Sequence, residues 1–579
     1  MADILLAAVN ARYNHTNIAV RSISLYCGDP GLVGFDEWTI NQPEQEILRG
    51  ITGHHPKIIL FSTYIWNIDI VSKVIHELPK ILPGCVIGAG GPEAGYRARQ
   101  ILMQETGLDM VITGEGEQTA AELAELYRTQ RSSFNKTEWL KAASRIPGVC
   151  AKTGGGPDTH IAYGGPRSLL PDMSVLPFPY PEITDPENRI YYYESSRGCP
   201  FSCAYCMSSL DRHVRFMPLE RVYEDIQRFL DARVKLVKFV DRTYNLQPER
   251  YIAIWKYICA HHNGITMFHF EIEAEYLCGE ALDFLGTVPD GIMQFEIGVQ
   301  SANARTLEAV HRSPDIGTLA ANVRRIPKTI RTHLDLIAGL PYEGLDSFGQ
   351  SLDKTLALTP DALQLGFLKV LAGTQMESYC GKHGWQWMSD APYEVLSTPY
   401  LGYDDIQFLK DVEILLDAYW NSHNFDTTIR FVQSRKSLWS FFRALAGYCG
   451  KRAVFSMQRK PAFWYELLSD FIKGDSRPHD DSSALTELLR FDFIAAGKKG
   501  SFPAWCGHNY TKEAHRAALE KYTDFSSSRA AYSFTEYDEF GVNPLSPGGT
   551  SSPGTVYKIL FIYPQREGGR TKAVLIAQP

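Results

Sequence analysis

Two successive series of short apolar segments alternate with helix-like stretches, and this alternation restricts the fold more than any other feature. In the first series the predicted strands are residues 4–9, 37–40, 57–62, 85–89 and 109–113. Short strands separated by helices are typical of a parallel sheet that is covered on both faces. The sequence therefore predicts an α/β domain over residues 1–130, built as a flavodoxin-like, doubly wound sheet.

A second series begins near residue 190, with predicted strands at 191–195, 236–240, 267–273, 294–299, 333–338 and 363–370. Repeated βα units of this length predict a partial (β/α)6 TIM-like barrel over residues 189–376. Residues 131–188 are expected to be a linker that contains a hairpin formed by 147–154 and 160–165. The pattern of residues 377–579 predicts a mainly helical C-terminal domain with a small β element. This segment contains no recognisable catalytic motif.

Composition restricts the compartment and the partners. The 579 residues carry a net charge of −8, so the chain has no general field that would hold a nucleic acid. The amino terminus lacks a basic signal-peptide region, and no apolar run approaches the roughly 20 residues of a membrane span. The 11 cysteines are an odd number and mostly scattered, which argues against a disulfide framework. We therefore expect a cytoplasmic protein without a membrane or nucleic-acid partner.

One group of cysteines is an exception to this scatter. Cys199, Cys203 and Cys206 follow a predicted strand directly and have the spacing Cys-x3-Cys-x2-Cys. Three thiolates can hold three irons of a [4Fe–4S] cubane and leave the fourth iron open. Zinc is the competing metal, but structural zinc usually takes four ligands, and the nearest further candidate is His213.

Polar and glycine-rich turns follow three strands of the first sheet. They are Ser62-Thr63-Tyr64, Gly90-Gly91-Pro92-Glu93 and Gly114-Glu115-Gly116-Glu117. Ligands of doubly wound sheets bind at the carboxyl ends of the strands, and glycine lets a backbone approach a bulky ligand closely. Tight-turn glycines are the alternative interpretation. Because three such turns lie at one edge of the sheet, the pattern favours a ligand-binding site over simple tight turns.

The cysteine motif resembles the signature of the radical S-adenosylmethionine (SAM) superfamily, with Tyr205 as its aromatic residue. The resemblance implies that SAM chelates the open iron and yields a 5′-deoxyadenosyl radical after an external donor, such as flavodoxin or ferredoxin, supplies one electron. Later strand ends resemble the family too. They imply SAM contacts from Asp241, Gln300 and Ser301 and adenine contacts from Ile337 and Gly339.

An acidic row stands on the third barrel strand, where Glu271, Glu273 and Glu275 alternate with other residues. Period two predicts that all three carboxylates point to one face. Relatives often have an arginine near Glu273 that faces the SAM carboxylate. The contacts to SAM or substrate are therefore rearranged here, or the row forms structural salt bridges.

A doubly wound domain ahead of such a barrel is similar to the cobalamin-binding group of the superfamily, and the three turns occur in that group's order. The resemblance implies that these turns bind cobalamin. The cobalt-ligand motif Asp-x-His-x-x-Gly is absent after the first strand. This implies base-off cobalamin, with Arg12 or Tyr13 near the lower face of cobalt and His15 as a hydrogen-bonded loop residue.

The resemblance implies methyl transfer from methylcobalamin to a carbon of an unknown substrate. Ring formation or rearrangement without methyl transfer stays open. So does a tRNA methylthiotransferase with a second cluster on Cys27, Cys85 and Cys150 and with RNA bound by the basic, aromatic stretch 430–460. A non-catalytic cobalamin or redox sensor is the third alternative.

Overall fold

The computed structural model describes residues 2–154, 160–313, 315–450, 452, 454–457, 459–474, 481–497, 501–522, 532, 534–546, 555–563 and 571–577. The chain forms two compact units. The first comprises Met1–Glu343 and Gly366–Gly402, and the second comprises Gly344–Leu365 and Tyr403–Pro579. The first unit therefore contains both the amino-terminal sheet and most of the barrel.

The amino-terminal sheet has seven strands in the order β2-β1-β3-β4-β5-β6-β7. The strands are β1 (Ile4–Asn10), β2 (Val33–Thr39), β3 (Ile58–Ser62), β4 (Val86–Gly90), β5 (Met110–Ile112), β6 (Val149–Thr153) and β7 (His160–Tyr163). The pairs among β1–β5 are parallel, and β6 and β7 are antiparallel. This order confirms the predicted flavodoxin-like, doubly wound fold.

The hairpin β6–β7 corrects one expectation. The sequence assigned it to a linker, whereas β6 pairs with β5 and extends the sheet. The physical reason is that β5 would otherwise be an edge strand with unpaired backbone groups. The linker prediction missed this because local sequence does not report which edge a hairpin will pair with.

Helices cover both faces of this sheet. They are α1 (Ile18–Cys27), α2 (Glu44–Gly53), α3 (Ile68–Ile81), α4 (Pro92–Tyr96), α5 (Ala98–Gln104), α6 (Glu117–Gln130) and α7 (Lys136–Ala143). Strand β1 is buried along its whole length. Its odd-numbered residues pack in one core and its even-numbered residues in the other. Burial of both faces explains the continuous apolar run of this strand.

The barrel sheet has six strands in the order β8-β11-β12-β13-β14-β15. They are β8 (Ile190–Tyr193), β11 (Leu236–Phe239), β12 (Met267–Ile272), β13 (Met293–Gln300), β14 (Arg331–Ala338) and β15 (Ala362–Phe367). The pairs among β8 and β11–β14 are parallel, which confirms the partial barrel. A short antiparallel pair, β9 (Ser196–Arg197) and β10 (Arg215–Phe216), lies between β8 and β11 in the chain.

The remaining elements of the first unit complete the barrel. They are α8 (Leu219–Asp231), α9 (Pro248–His261), α10 (Gly279–Leu285), α11 (Ala304–Ala309), α12 (Ile316–Arg325), α14 (Gln375–His383), β16 (Gln386–Trp387) and β17 (Val395–Ser397). Alternate barrel residues face these helices. Trp255 of α9, for example, contacts Phe295 of β13 with ring centroids 5.3 Å apart. The side chains between them must therefore face the barrel interior.

The second unit is mainly helical, as predicted. Its helices are α13 (Leu345–Leu356), α15 (Tyr403–Leu416), α16 (Asp426–Arg435), α17 (Leu438–Gly450), α18 (Pro461–Gly474), α19 (Ser482–Ala495) and α20 (Lys512–Tyr522). The small β element is a three-stranded antiparallel sheet of β18 (Thr535–Phe540), β19 (Tyr557–Ile562) and β20 (Lys572–Ala577). Strand β18 was not predicted, because its acidic composition hides a buried strand. None of the helices within the described ranges is long and apolar enough to cross a bilayer.

Candidate active site

The cysteine loop lies between the paired strands β9 and β10. Cys199 and Cys203 are buried and Cys206 is half-buried. Gly198 adopts a φ of +90°, and a Cβ there would lie 2.5 Å from the carbonyl oxygen of His213. Only glycine fits this position, because the loop folds back directly over it. The loop therefore presents the three thiols at the carboxyl end of β8.

The surroundings of the thiols fit an iron–sulfur cluster. Cys199 Sγ lies 3.5 Å from Thr243 Oγ1, and Cys203 Sγ lies 4.0 Å from Arg312 Nη1. Burial raises the pKa of the Cys203 thiol to about 11, and the charge of Arg312 opposes that shift. Among the described residues, no three His, Cys, Asp or Glu side chains converge on one ion position. A cubane needs no such convergence, since each thiolate binds its own iron.

Arg312 is a functional candidate that no sequence pattern predicted. It lies between α11 and α12, and its guanidinium donates to both carboxylate oxygens of Glu273 and, at 2.9 Å, to the carbonyl of Gly298. The side chain is only 9% exposed. An arginine therefore does lie beside Glu273, although it comes from 39 residues later in the chain. No local motif could have revealed it.

The predicted acidic row is only partly correct. Strand β12 ends at Ile272, and Glu275 lies in the 3₁₀ turn Ala274–Tyr276 instead of on the strand. The alternation of faces stops where the strand stops, so Glu275 leaves the row. Burial raises the pKa of its carboxyl group. Glu273 forms the salt bridge with Arg312, and Glu271 lies 3.5 Å from Lys238.

Asp241, an expected SAM contact, is 1% exposed and already bonded within the protein. Its carboxylate accepts from the backbone N–H of Ser195 at 3.1 Å and from the hydroxyls of Ser195 and Ser196. Burial raises its pKa, and these hydrogen bonds oppose the shift. Asp241 therefore fixes the segment that enters the cysteine loop.

Three other expected SAM residues lie at the carboxyl ends of the neighbouring barrel strands β13 and β14. Gln300 has a φ of +66° at a bulge of β13, and its amide folds over Gly298. Ser301 is buried and donates to Glu343 at 2.7 Å. Gly339 has a φ of +93°, and its carbonyl accepts from the Trp385 indole at 3.2 Å.

The two remaining SAM candidates differ in their environment. Ile337 is half-buried at an interior-facing position of β14. Tyr205 lies in the cysteine loop, where burial raises its pKa and the charge of Arg312 opposes that shift. Its hydroxyl is buried without a hydrogen-bond partner among the described residues.

The turns after β3 and β4 pack on each other. The backbone N–H and the hydroxyl of Thr63 both donate to the carbonyl of Gly90 at 2.8 Å. Gly91 has a φ of +101°, and a Cβ there would lie 2.6 Å from the carbonyl oxygen of Thr63. Contact between the two turns therefore explains this glycine without a ligand. Ser62 ends β3, and Tyr64 stacks on Trp66 with ring centroids 4.2 Å apart.

Helix α4 begins at the turn after β4, with Pro92 as its first residue. Glu93 is 6% exposed and accepts a hydrogen bond from Tyr393. A carboxylate expected to contact cobalamin therefore joins the sheet edge to the segment that follows β16.

The turn after β5 is bound to the cysteine loop. Arg197 Nη2 donates to Glu117 at 2.6 Å and Nη1 to Glu115 at 3.3 Å. Arg215 of β10 donates to Glu115 at 2.8 Å. Gly114 has a φ of +75° and open space around the position of a Cβ, while Gly116 caps α6. The two carboxylates therefore join the amino-terminal sheet to the loop that carries the cysteines.

The loop after β1 is divided between surface and interior. Arg12 is exposed, and Tyr13 is 62% exposed and donates to Asp185 at 3.0 Å. His15 forms a bridge with Ile190 of β8, and its Nδ1 lies 2.7 Å from the hydroxyl of Tyr192. Burial, with the charges of Arg12 and Lys238, lowers the pKa of His15. His15 is therefore a hydrogen-bonded loop residue that borders the open side of the barrel.

The structure disfavours the second-cluster alternative. Cys85 and Cys150 lie in the core on one face of the sheet, and Cys27 packs against the core on the other face. The basic, aromatic stretch forms contacts inside the second unit. Arg435 lies 3.9 Å from Asp481, and Arg443 lies 3.1 Å from Asp346.

Family comparisons agree with this architecture. Residues 4–124 match the B12-binding domain family, 193–355 the radical SAM superfamily, and 381–539 a family of unknown function, DUF4080. The chain therefore carries a B12-binding domain, a radical SAM domain and a DUF4080 domain in this order, as the sequence resemblance predicted. The predicted cofactors, cobalamin, a [4Fe–4S] cluster and SAM, are those of the two matched domains.

The chain is similar to enzymes with different reactions. It is 27% identical over 334 residues to the 2-(S-pantetheinyl)-carbapenam-3-carboxylate methyltransferase of Streptantibioticus cattleyicolor, covering 54% of this chain and 46% of that enzyme. It is 24% identical over 312 residues to the anaerobic magnesium-protoporphyrin IX monomethyl ester cyclase of Synechocystis, covering 50% and 56%. The chain thus spans about half the length of the curated relatives it matches.

Among solved structures, the cobalamin-dependent S-adenosylmethionine radical enzyme OxsB has a TM-score of 0.55 at 14% identity. The match covers 85% of this chain and 79% of OxsB. At this identity the likeness establishes the shared fold only.

Proposed function

We propose that the protein is a cobalamin-dependent radical SAM methyltransferase that acts on a carbon of a substrate. The observation that carries this proposal is the connection of the two strand-end edges inside one compact unit. Arg197 lies immediately before Gly198 and the cysteine motif, and it binds Glu117 of the amino-terminal sheet. Cofactors at these two edges would therefore face the same substrate.

Each part of the proposal has its own residues. Cys199, Cys203 and Cys206 would hold the cluster. Arg312 and Glu273 would bind the carboxylate and the amino group of SAM, because they place a fixed cation and a fixed anion beside Cys203. When bound, the cluster and SAM supply a 5′-deoxyadenosyl radical, and cobalamin supplies a methyl group.

The chain itself positions the reactants. Gly198 folds the cysteine loop back, and Asp241 fixes the segment that enters it. Arg197 and Arg215 hold that loop against the turn after β5. Such fixed placement accounts for a large part of the acceleration that enzymes achieve. The turns containing Ser62, Thr63, Gly90 and Gly114 would lie along cobalamin at the sheet edge.

Anaerobic reconstitution of the full chain with hydroxocobalamin and iron sulfide tests the proposal. We expect about four irons and one cobalamin per chain, in line with one cubane. We also expect 5′-deoxyadenosine from SAM when dithionite, flavodoxin or ferredoxin supplies the electron. Deuterated-methyl SAM added to cell extract should label a product. Cobalamin-loaded protein that releases no 5′-deoxyadenosine would contradict the proposal.

Ring formation without methyl transfer is the second candidate, and the similarity to the Synechocystis cyclase supports it. The same labelling experiment separates the two functions. A product that lacks the deuterated methyl group while 5′-deoxyadenosine forms with substrate would favour the cyclase type of reaction.

A further inference from the structure

The interior of the barrel carries ionisable side chains at positions where barrels usually place branched apolar residues. The positions lie on five neighbouring strands and comprise Tyr192, Lys238, His269, Glu271, Glu296, His333 and Asp335. Residues at the alternate positions, such as Phe239 and Phe270, are fully buried. Polar groups are costly to place inside a barrel unless they meet a partner. These side chains therefore need polar partners, either from one another or from a ligand.

The same side chains leave space between them. Glu271 is 29% exposed, Glu296 25%, and Asp335 21%, although all three point into the barrel. An apolar barrel core would bury such positions completely. The residual exposure shows that the interior is open.

Lys238 is the one amine among these seven side chains, and two carboxylates share it. Its Nζ lies 3.0 Å from Glu296 and 3.5 Å from Glu271. His269 Nε2 lies 3.0 Å from Glu296. Against the effect of burial, His269 and Lys238 lower the pKa of Glu296 to about 2. Glu296 is therefore fully compensated, and Glu271 has only a part of one cation.

Asp335 has no cation of its own. Its Oδ1 is buried and has no hydrogen-bond partner among the described residues, although His333 Nε2 lies 3.2 Å away. Burial lowers the pKa of His333, which disfavours the imidazolium form that could pair with Asp335. Burial, together with the nearby Glu296 and Glu271, raises the pKa of Asp335 to about 8. A positive ligand group would supply the missing partner.

The position of Asp335 points to a role in substrate binding. Asp335 is in register with Gly298 of the neighbouring strand. The carbonyl of Gly298 accepts a hydrogen bond from Arg312, which in turn lies beside Cys203. Asp335 therefore lies one strand away from the residues assigned to SAM, on the inner side of the barrel.

We propose that the barrel interior binds a protonated nitrogen of the substrate, an ammonium, amidinium or guanidinium group, between Asp335 and Glu271. This inference rests on the proposed function, since it names the substrate class of that same site. A neutral or anionic substrate would bring no positive group to Asp335, whose Oδ1 has no hydrogen-bond partner among the described residues, or to Glu271, which shares Lys238 with Glu296.

Benzamidine and benzamide test the proposal, because the two probes have nearly the same shape and differ in charge. Both are titrated at pH 8.5 into the reconstituted full chain, with saturation-transfer NMR as the readout. We expect benzamidine to bind roughly tenfold more tightly than benzamide, as one partly buried ion pair allows. Benzoate, the anionic probe, should bind more weakly than either.

The variants Asp335→Asn and Glu271→Gln keep the side-chain shape and should each weaken benzamidine binding about fivefold, which amounts to about 1 kcal/mol. Glu220→Gln on the exposed surface of α8 is the matched control and should change nothing. Equal binding of benzamidine and benzamide, or unchanged binding by both variants, would overturn the inference.

Failure of this inference can be told apart from failure of the proposed function. Release of 5′-deoxyadenosine from SAM under dithionite is measured on the same preparations. If 5′-deoxyadenosine is released while the chain binds benzamidine and benzamide equally well, only the proposed substrate class is wrong. If the wild-type chain releases none, the proposed function itself fails.

Discussion

Arg197 donates to Glu117 at 2.6 Å and thereby joins the segment before the cluster motif to the turn after the fifth strand of the amino-terminal sheet. The guanidinium also donates to Glu194 at 2.8 Å. Its side chain is 15% exposed and that of Glu117 only 6%. Loss of one partner from such a buried pair leaves an uncompensated charge.

Arg197→Met should lower the free energy of unfolding by about 3 kcal/mol, the typical effect of breaking a buried ion pair. The measurement is the denaturant midpoint of the full chain, and Glu117→Gln completes a double-mutant cycle. Arg128→Met is the control, since Arg128 and Glu125 are 60% and 56% exposed. An equal loss of unfolding free energy in the Arg197 and Arg128 variants would show that the Arg197–Glu117 pair stabilises the fold no more than an exposed ion pair does.

Cys203→Ala should reduce the iron content of the anaerobically reconstituted chain far below the expected value of about four. The physical reason is that the cubane loses one of its three protein ligands. Iron analysis and the visible absorption of the cluster measure the loss. Cys380→Ala replaces a buried thiol of α14 and is the control. Unchanged iron in the Cys203 variant would contradict the cluster assignment.

Arg312→Met should weaken SAM binding at least tenfold, because the guanidinium offers a fixed, charged hydrogen-bond donor to a carboxylate. Arg312→Lys should restore part of this affinity, since it keeps the charge and loses the planar geometry. Equilibrium dialysis with SAM measures both variants, and the iron content shows whether the cluster is intact. Full SAM affinity in the methionine variant would contradict the role.

Asp335 makes stability depend on pH. Its pKa is raised to about 8 when folded, whereas an unfolded aspartate ionises near 4. The folded state therefore binds an extra proton between these values, and stability falls as the pH rises through this range. Glu271 and Glu296, which face Asp335, strengthen the effect, and Lys238 opposes it. His333 also faces this group, with its Nε2 3.2 Å from Asp335 Oδ1, and burial lowers the pKa of its imidazole.

Asp335→Asn should accordingly raise the melting temperature by a few degrees at pH 8 and by almost nothing at pH 4.5. Thermal unfolding across this pH range measures the difference between variant and wild type. Asp290→Asn on the surface is the control, and its difference in melting temperature from the wild type should not change with pH. A stabilisation that is independent of pH would mean that Asp335 is already ionised in the folded protein.

His15→Gln should leave the electron paramagnetic resonance spectrum of bound cob(II)alamin unchanged. His15 is held by the hydroxyl of Tyr192, so its imidazole is engaged inside the protein. We expect no nitrogen hyperfine splitting from an axial ligand in either protein. Splitting that is present in the wild type and absent from the variant would identify His15 as a cobalt ligand.

Much of the fold could be predicted from local pattern. Apolar strands alternating with helices predicted the doubly wound sheet and the barrel, because parallel sheets need crossover helices and bury both faces. The hairpin β6–β7 was misplaced, and β18 was missed. Pairing partners and the burial of acidic strands depend on the rest of the molecule.

The candidate site shows the same division. Cys199, Cys203 and Cys206 were recognisable because close spacing in the chain keeps three ligands within reach of one cluster. Arg312 was not, since it reaches Glu273 from a different loop. Asp241 and Glu117 were expected to face cofactors. In the structure, however, Ser195 and Ser196 donate hydrogen bonds to Asp241, and Arg197 donates one to Glu117.

The amino-acid sequence by itself determined the order of the domains, the three cluster thiolates and the turns at the sheet edge. These features depend on neighbours within a few residues. Only the tertiary structure decided which charges meet: Arg197 with Glu117, Arg312 with Glu273, and Asp335 with no cation. Electrostatic interactions act through space between strands far apart in the chain, so their pattern appears only once the chain has folded.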